Sequence, residues 1–122
     1  MTDPGTIRKF EYRPSRITTT FKIDFAVGER VFRGVCRDVS VSGIRAVLDG
    51  SLTVGSSGQL TLHHPVGVLD LEAQITYIEK ENEEEYVGLV FLFRTPWETA
   101  NSIGYMDSIA NYKANAPMVR SR

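Results

Sequence analysis

Val68-Leu-Asp-Leu-Glu-Ala-Gln-Ile-Thr-Tyr-Ile78, "VLDLEAQITYI", alternates without a break. Leu69, Leu71, Ala73, Ile75 and Tyr77 fall on one side, and Asp70, Glu72, Gln74 and Thr76 on the other. A period of two is the signature of a strand with one buried face. The next residues, Glu79–Glu85 ("EKENEEE"), read as a solvated hairpin tip whose like charges discourage pairing between molecules. "YVGLVFLF" (86–93) then returns as a densely apolar strand, so the stretch predicts an antiparallel pair.

Working toward the N-terminus, the same period recurs. In Thr18–Phe25, "TTTFKIDF", Thr19, Phe21, Ile23 and Phe25 share a face opposite Thr18, Thr20, Lys22 and Asp24. Gly28 turns the chain and Val31–Arg37 comes back as a second strand. Ile44, Ala46 and Leu48 alternate with Arg45 and Val47 in a third. A glycine- and serine-rich loop, "DGSLTVGSSG", precedes a short fourth strand, Gln59–His63, and "HPVG" turns into Val68. Toward the C-terminus the period changes. "TPWE" offers Thr95 as an N-cap, Pro96 at the first helical position and Glu98 three after the cap. Ile103, Met106, Ile109 and Ala110 follow at helical spacing. The expected fold is all-β with one C-terminal helix: a six- to seven-stranded antiparallel barrel whose opening receives the helix. The expected organisation is a flexible basic arm over 1–17, the barrel with its helix (about 96–113) over 18–114, and a disordered tail over 115–122.

Composition excludes several classes. At 122 residues, 42% hydrophobic and 24% charged, the chain suits one globular domain. No apolar run is long enough to span a bilayer, and "MTDPGTIRKFEYRPSR" lacks the apolar centre of a secretory signal. One cysteine, Cys36, leaves no internal disulfide and reads as a buried small hydrophobe, which fits a cytoplasmic protein. The net charge of -1 argues against nucleic acid as a partner, yet it conceals an asymmetry. Residues 1–37 carry eight Lys/Arg against four Asp/Glu, and residues 38–122 carry six against eleven. Adjacent His63 and His64 point to opposite faces of a strand, so they form no metal site. No phosphate-binding glycine loop or nucleophile elbow occurs, and Ser40 and Ser42 have no neighbouring histidine. Nothing here argues for an enzyme or a cofactor.

Two pieces remain: "RKFEYRPSR" (8–16) and "DVSVSG" (38–43). An arginine fork suits phosphate oxygens and the O6/N7 edge of guanine. An ionised aspartate accepts from guanine's N1–H and amino group, and Ser40 offers a hydroxyl donor. Gly43 permits either a positive φ or a close backbone approach. The plainer alternative is a turn closed by Asp38 and Ser40, preceded by a soluble basic tail.

On these residues the chain resembles the PilZ domain family, receptors for the bacterial second messenger cyclic di-GMP. "DVSVSG" is similar to that family's Asp/Asn-x-Ser-x-x-Gly motif, and "GLVF" (88–91) to its Gly-hydrophobic-x-Phe strand. Arg16 lies 22 residues before Asp38, where the family carries Arg-x-x-x-Arg. The resemblance spans roughly 8–114 and implies a six-stranded barrel with a C-terminal helix. It also implies a cyclic di-GMP site made by Arg13, Arg16, Asp38, Ser40 and Gly43, with Arg8, Lys9 and Tyr12 as further contacts. The departure is at the first arginine: Tyr12 stands where the spacing wants it, and Arg13 is one residue off. Family members with degraded motifs act through protein contacts alone. Two readings therefore stand: a receptor that changes conformation on binding the nucleotide to regulate motility, pili or other signalling outputs, and a ligand-independent adaptor for partners in such systems.

Overall fold

The computed structural model describes residues 16–120. Six strands form β1 (Ile17–Val27), β2 (Arg30–Val39), β3 (Gly43–Leu48), β4 (Ser57–His64), β5 (Gly67–Glu81) and β6 (Glu84–Leu92). One helix follows, α1 (Pro96–Arg120). The strands close in the order β1-β2-β3-β6-β5-β4. Two three-stranded meanders, β1–β3 and β4–β6, are thus joined edge to edge by the antiparallel pairs β1–β4 and β3–β6. Closure leaves neither meander with an open side.

The alternating residues explain the core. Phe21, Ile23 and Phe25 of β1 meet Cys36 and Val39 of β2, Ile44 and Ala46 of β3, Leu60 and Leu62 of β4, Leu71, Ala73 and Ile75 of β5, and Leu89 and Phe91 of β6. Burial of each large apolar side chain contributes about 1.5–3 kcal/mol. Turns follow local chemistry. Gly28 (φ 61) reverses the chain between β1 and β2, and Asn82 (φ 51) and Glu83 (φ 68) form a two-residue loop between β5 and β6. Positive φ at both central residues is the turn geometry that matches strand twist. The strands therefore run into the acidic stretch, to Glu81 and again from Glu84, and the turn is narrower than the Glu79–Glu85 tip expected.

Tyr77 departs from its expected face. A register shift between Ile75 and Tyr77 inserts an extra residue into β5. Such a bulge reverses the alternation beyond it. Tyr77 is 41% exposed and its ring lies against Gly88, where a Cβ would collide with it.

The helix plugs the barrel end that carries the start of β1, the β2–β3 loop and the β4–β5 turn. Ser102 Oγ donates to the Val41 carbonyl at 3.0 Å, and Tyr105 Oη donates to the Gly67 carbonyl at 2.8 Å. Lys113 Nζ donates to the Thr18 carbonyl. The inward stripe is Ser102, Met106 and Ile109, whereas Ile103 and Ala110 of the expected stripe are exposed. Tyr105 and Ser102 bond to backbone groups of the barrel rim and so fix the helix rotation that hydrophobicity alone leaves free. The cap holds: Glu98 N–H donates to Thr95 Oγ1 at 3.2 Å, and Glu98 Oε1 accepts from Arg94 N–H at 2.7 Å. The helix continues past Lys113 to Arg120, through most of the stretch expected to be a disordered tail.

Candidate functional site

Cys36 and Val39 are both fully buried although three residues apart. A regular strand cannot turn both inward, and the register shift between Cys36 and Asp38 supplies the extra residue. Arg37 and Asp38 consequently sit together on the outer wall. A second shift in β1, between Thr18 and Phe21, brings the start of that strand level with them, pairing Ile17 with Val39 and Thr18 with Asp38. Arg16 immediately precedes this pairing, so its side chain crosses to β2. Its Nε donates to Asp38 Oδ1 at 2.5 Å and its Nη1 to Ser40 Oγ at 3.4 Å. Arg45, on β3, brings Nη1 to 4.0 Å from the other carboxylate oxygen, Oδ2.

The loop beneath is tightly determined. Ser40 is 1% exposed; its N–H donates to the Gly43 carbonyl at 2.8 Å, and its hydroxyl donates to the same carbonyl at 3.3 Å. Ser42 N–H donates to Ser40 Oγ at 3.2 Å. The Ser42 carbonyl accepts from Phe91 N–H at 2.9 Å, tying the loop to β6. Ser40 thus builds the corner from within instead of presenting a free hydroxyl. Gly43 has no positive φ; a Cβ there would run into the Leu89 carbonyl oxygen. Of its two sequence readings, close backbone approach is the one found.

Cys36 lies under the same corner and donates Sγ–H to the Asp38 carbonyl at 3.3 Å. Burial, reinforced by the nearby Asp38 charge, pushes its thiol up to about 12, so it stays protonated and inert. His63 and His64 do point oppositely. His63 Nε2 lies 2.9 Å from Asp24 on the outer wall, whereas His64 is buried against Phe21 and Tyr112. Burial lowers the His64 pKa, and its Nδ1 accepts from Val66 N–H. Among the described residues no cluster of three metal-binding side chains occurs.

Of the expected site residues, Arg16, Asp38, Ser40 and Gly43 come together. Arg8, Lys9, Tyr12 and Arg13 lie outside the described residues. A recess of about 150 Å³ opens beside Arg16, lined by Ser42, Gly43, Thr76, Tyr77 and Gly88. A further recess of about 260 Å³ lies on the other flank of Asp38, among Thr18, Thr20, Arg37, Arg45 and Tyr86. Tyr77 and Arg45 line these recesses without being among the expected site residues, and Gly88 was singled out only as part of the "GLVF" strand. A signal existed: counting back from the Asn82–Glu83 turn pairs Glu81 with Glu84 and Tyr77 with Gly88. Chemically, the corner offers a planar cation, a carboxylate and an aromatic wall over a glycine floor. Such a set can hold a flat base with paired donors and an anionic group beside it.

A family model described as PilZ domain matches residues 7–101. The chain is similar in structure to the PilZ domain of YcgR from Escherichia coli with c-di-GMP, at 19% identity and a TM-score of 0.74, over 88% of this chain and 97% of that one. It is also similar to the Bacillus subtilis inhibitor of motility MotI/DgrA, at 20% identity and TM-score 0.67, over 81% of this chain and 51% of that one. A third similarity is to the K. pneumonia MrkH–c-di-GMP complex, at 14% identity and TM-score 0.65, over 84% of this chain and 54% of that one. The chain spans about half the length of these last two proteins. No curated protein sequence matches it.

Proposed function

Because the chain belongs to the PilZ domain family, we propose that it is a receptor for cyclic di-GMP, with no cofactor and no catalytic step. The observation that carries this reading is the crossing of Arg16 to Asp38 and Ser40, which joins the segment before the barrel to the motif loop. Arg16 releases one of these acceptors and turns its fork to a phosphate or to the O6/N7 edge of a guanine. Asp38 accepts from the guanine N1–H and amino donors. Ser40 holds the loop, Gly43 lets it close on β6, and Tyr77 flanks the base. Arg13 supplies a second cation from the preceding segment, with Arg8, Lys9 and Tyr12 near enough in sequence to contribute. Gathering that segment over the ligand changes the surface at the helix-capped end and so converts nucleotide concentration into a signal for a protein partner. The partner belongs to a motility, pilus or related signalling system, and for motility this fits the inhibitor of motility to which the chain is similar. No described helix is long and apolar enough to cross a membrane, and a cytoplasmic setting suits a receptor of an internal messenger.

Calorimetric titration with cyclic di-GMP tests the proposal: heat at micromolar concentrations, with an affinity that Asp38→Ala weakens about tenfold to a hundredfold, supports it. Tyr12 at the expected arginine position favours the second reading, an adaptor working through protein contacts alone. Binding that appears only in Tyr12→Arg would establish that reading instead.

A further inference from the structure

Asp38 is the acceptor on which the ligand reading depends, and a carboxylate on a strand surface can rotate. Arg16 holds one of its oxygens, and Arg16 must itself move to meet a ligand. The other oxygen faces Arg45 at 4.0 Å. Arg45 is held more firmly than a surface arginine needs to be. Its Nη2 donates to Glu81 Oε1 at 2.7 Å, and its guanidinium carbon lies over the Tyr86 ring, 4.0 Å from the centroid. Tyr86 Oη in turn donates to Glu84 at 2.8 Å, and Glu84 accepts from Arg37 Nη2 at 3.1 Å. The ends of the β5–β6 hairpin are thereby docked onto the outer wall of β2 and β3, beside Asp38. A cation held over an aromatic face and hydrogen-bonded to a carboxylate is restrained in position.

We propose that Arg45 is the positioning residue of the ligand site, with the acidic β5–β6 hairpin as its support. Arg45 keeps the Asp38 carboxylate aimed when Arg16 leaves it for the ligand, and Glu81 and Tyr86 keep Arg45 in place. The Glu79–Glu85 run, expected to be only a solvated tip, then has a second role through Glu81 and Glu84. The inference rests on the ligand reading for its function, while its geometric content, Arg45 acting on Asp38, holds in the free protein.

A double-mutant cycle separates this from a general effect of positive charge near an anion. Arg45→Gln should weaken cyclic di-GMP binding about fivefold to tenfold in the wild-type background, and about twofold or less once Asp38→Ala is present. A long-range field effect would persist in both backgrounds. Arg45→Lys keeps the charge but loses the guanidinium fork that spans Asp38 and Glu81, and should restore only part of the affinity. Glu81→Gln, an exposed partner, should cost about twofold. In the ligand-free protein, Arg45→Gln should also shift the Arg16 Nε–H resonance and the Asp38 carboxyl carbon. Equal losses in both backgrounds, or Arg16 and Asp38 signals indifferent to Arg45→Gln, would overturn the proposal. If wild type binds no cyclic di-GMP yet those two signals still move, the positioning contact stands and the ligand reading alone fails.

Discussion

Among the described residues, two charged clusters border recesses in the barrel wall, and the smaller recesses belong to the better-built one. At the helix-capped end, Arg16, Asp38 and Arg45 stand over a loop whose Ser40 is buried and whose every turn is hydrogen-bonded. On the wall of β1, β2 and β4, Asp24, Arg33 and His63 border a groove of about 600 Å³, larger than either recess at the Asp38 corner. Their side chains are 38%, 78% and 40% exposed, against 43% for Arg16, 18% for Asp38 and 26% for Arg45, and Arg33 comes no nearer than 3.7 Å to Asp24. The acceptor and its second cation are the more buried at the Asp38 corner, whereas a carboxylate and an arginine as exposed as Asp24 and Arg33 are screened by solvent. Size alone does not make a site. Preorganisation does, and it comes from the bulge in β2 and the Ser40–Gly43 loop.

The largest expected effects test that contrast directly. Arg16→Ala or Asp38→Ala should weaken cyclic di-GMP binding by about tenfold to a hundredfold, the loss of one charge-assisted hydrogen bond. Asp24→Ala and His63→Ala should leave it unchanged in the same calorimetric titration. A loss at His63 comparable to that at Asp38 would erase the distinction between the clusters. Next in size is Gly43→Ala. Its methyl group must displace the Leu89 carbonyl, and overpacking of this kind costs about 1–3 kcal/mol. Urea unfolding should register that loss, and ligand affinity should fall with it.

The helix-capped end also carries a pH signature through His64. Burial holds its folded pKa below the unfolded value near 6.5, so the unfolded chain binds the proton first. Its contribution to stability is present above that value and is lost as pH falls toward the folded pKa. The urea midpoint of wild type should therefore drop between pH 7 and pH 5 by more than that of His64→Gln. The smallest effect is a gain. Glu83 occupies a left-handed conformation (φ 68), and Glu83→Gly should raise stability by about 1 kcal/mol, read from the same unfolding curves.

The legible part of the molecule was whatever repeats with a fixed period or follows a local rule. Phe21–Ile23–Phe25, Ile44–Ala46 and Leu71–Ala73–Ile75 fall inward as their alternation requires, and Thr95 and Glu98 cap the helix from sequence alone. Tyr77 went astray because a single inserted residue at Thr76 leaves no mark in hydrophobicity. The helix stripe was misread because Ser102 and Tyr105 are inward for hydrogen bonds to Val41 and Gly67, while Ile103 faces solvent. Arg16, Asp38 and Ser40 were picked out by the motif, and their meeting depends on bulges in both strands. Arg45 carried no signal of its own. Its role emerges only when a hairpin distant in sequence, through Glu81 and Tyr86, comes to rest against β3.

An amide-shift titration of isotope-labelled protein with cyclic di-GMP bears most directly on whether the Arg16–Asp38 corner is a ligand site. Saturable shifts centred on Arg16, Asp38, Ser42, Gly43 and Tyr77, with Asp24 and His63 unmoved, are the expected result. A spectrum that does not change at millimolar ligand, or shifts that gather on the Asp24–His63 groove instead, would contradict it.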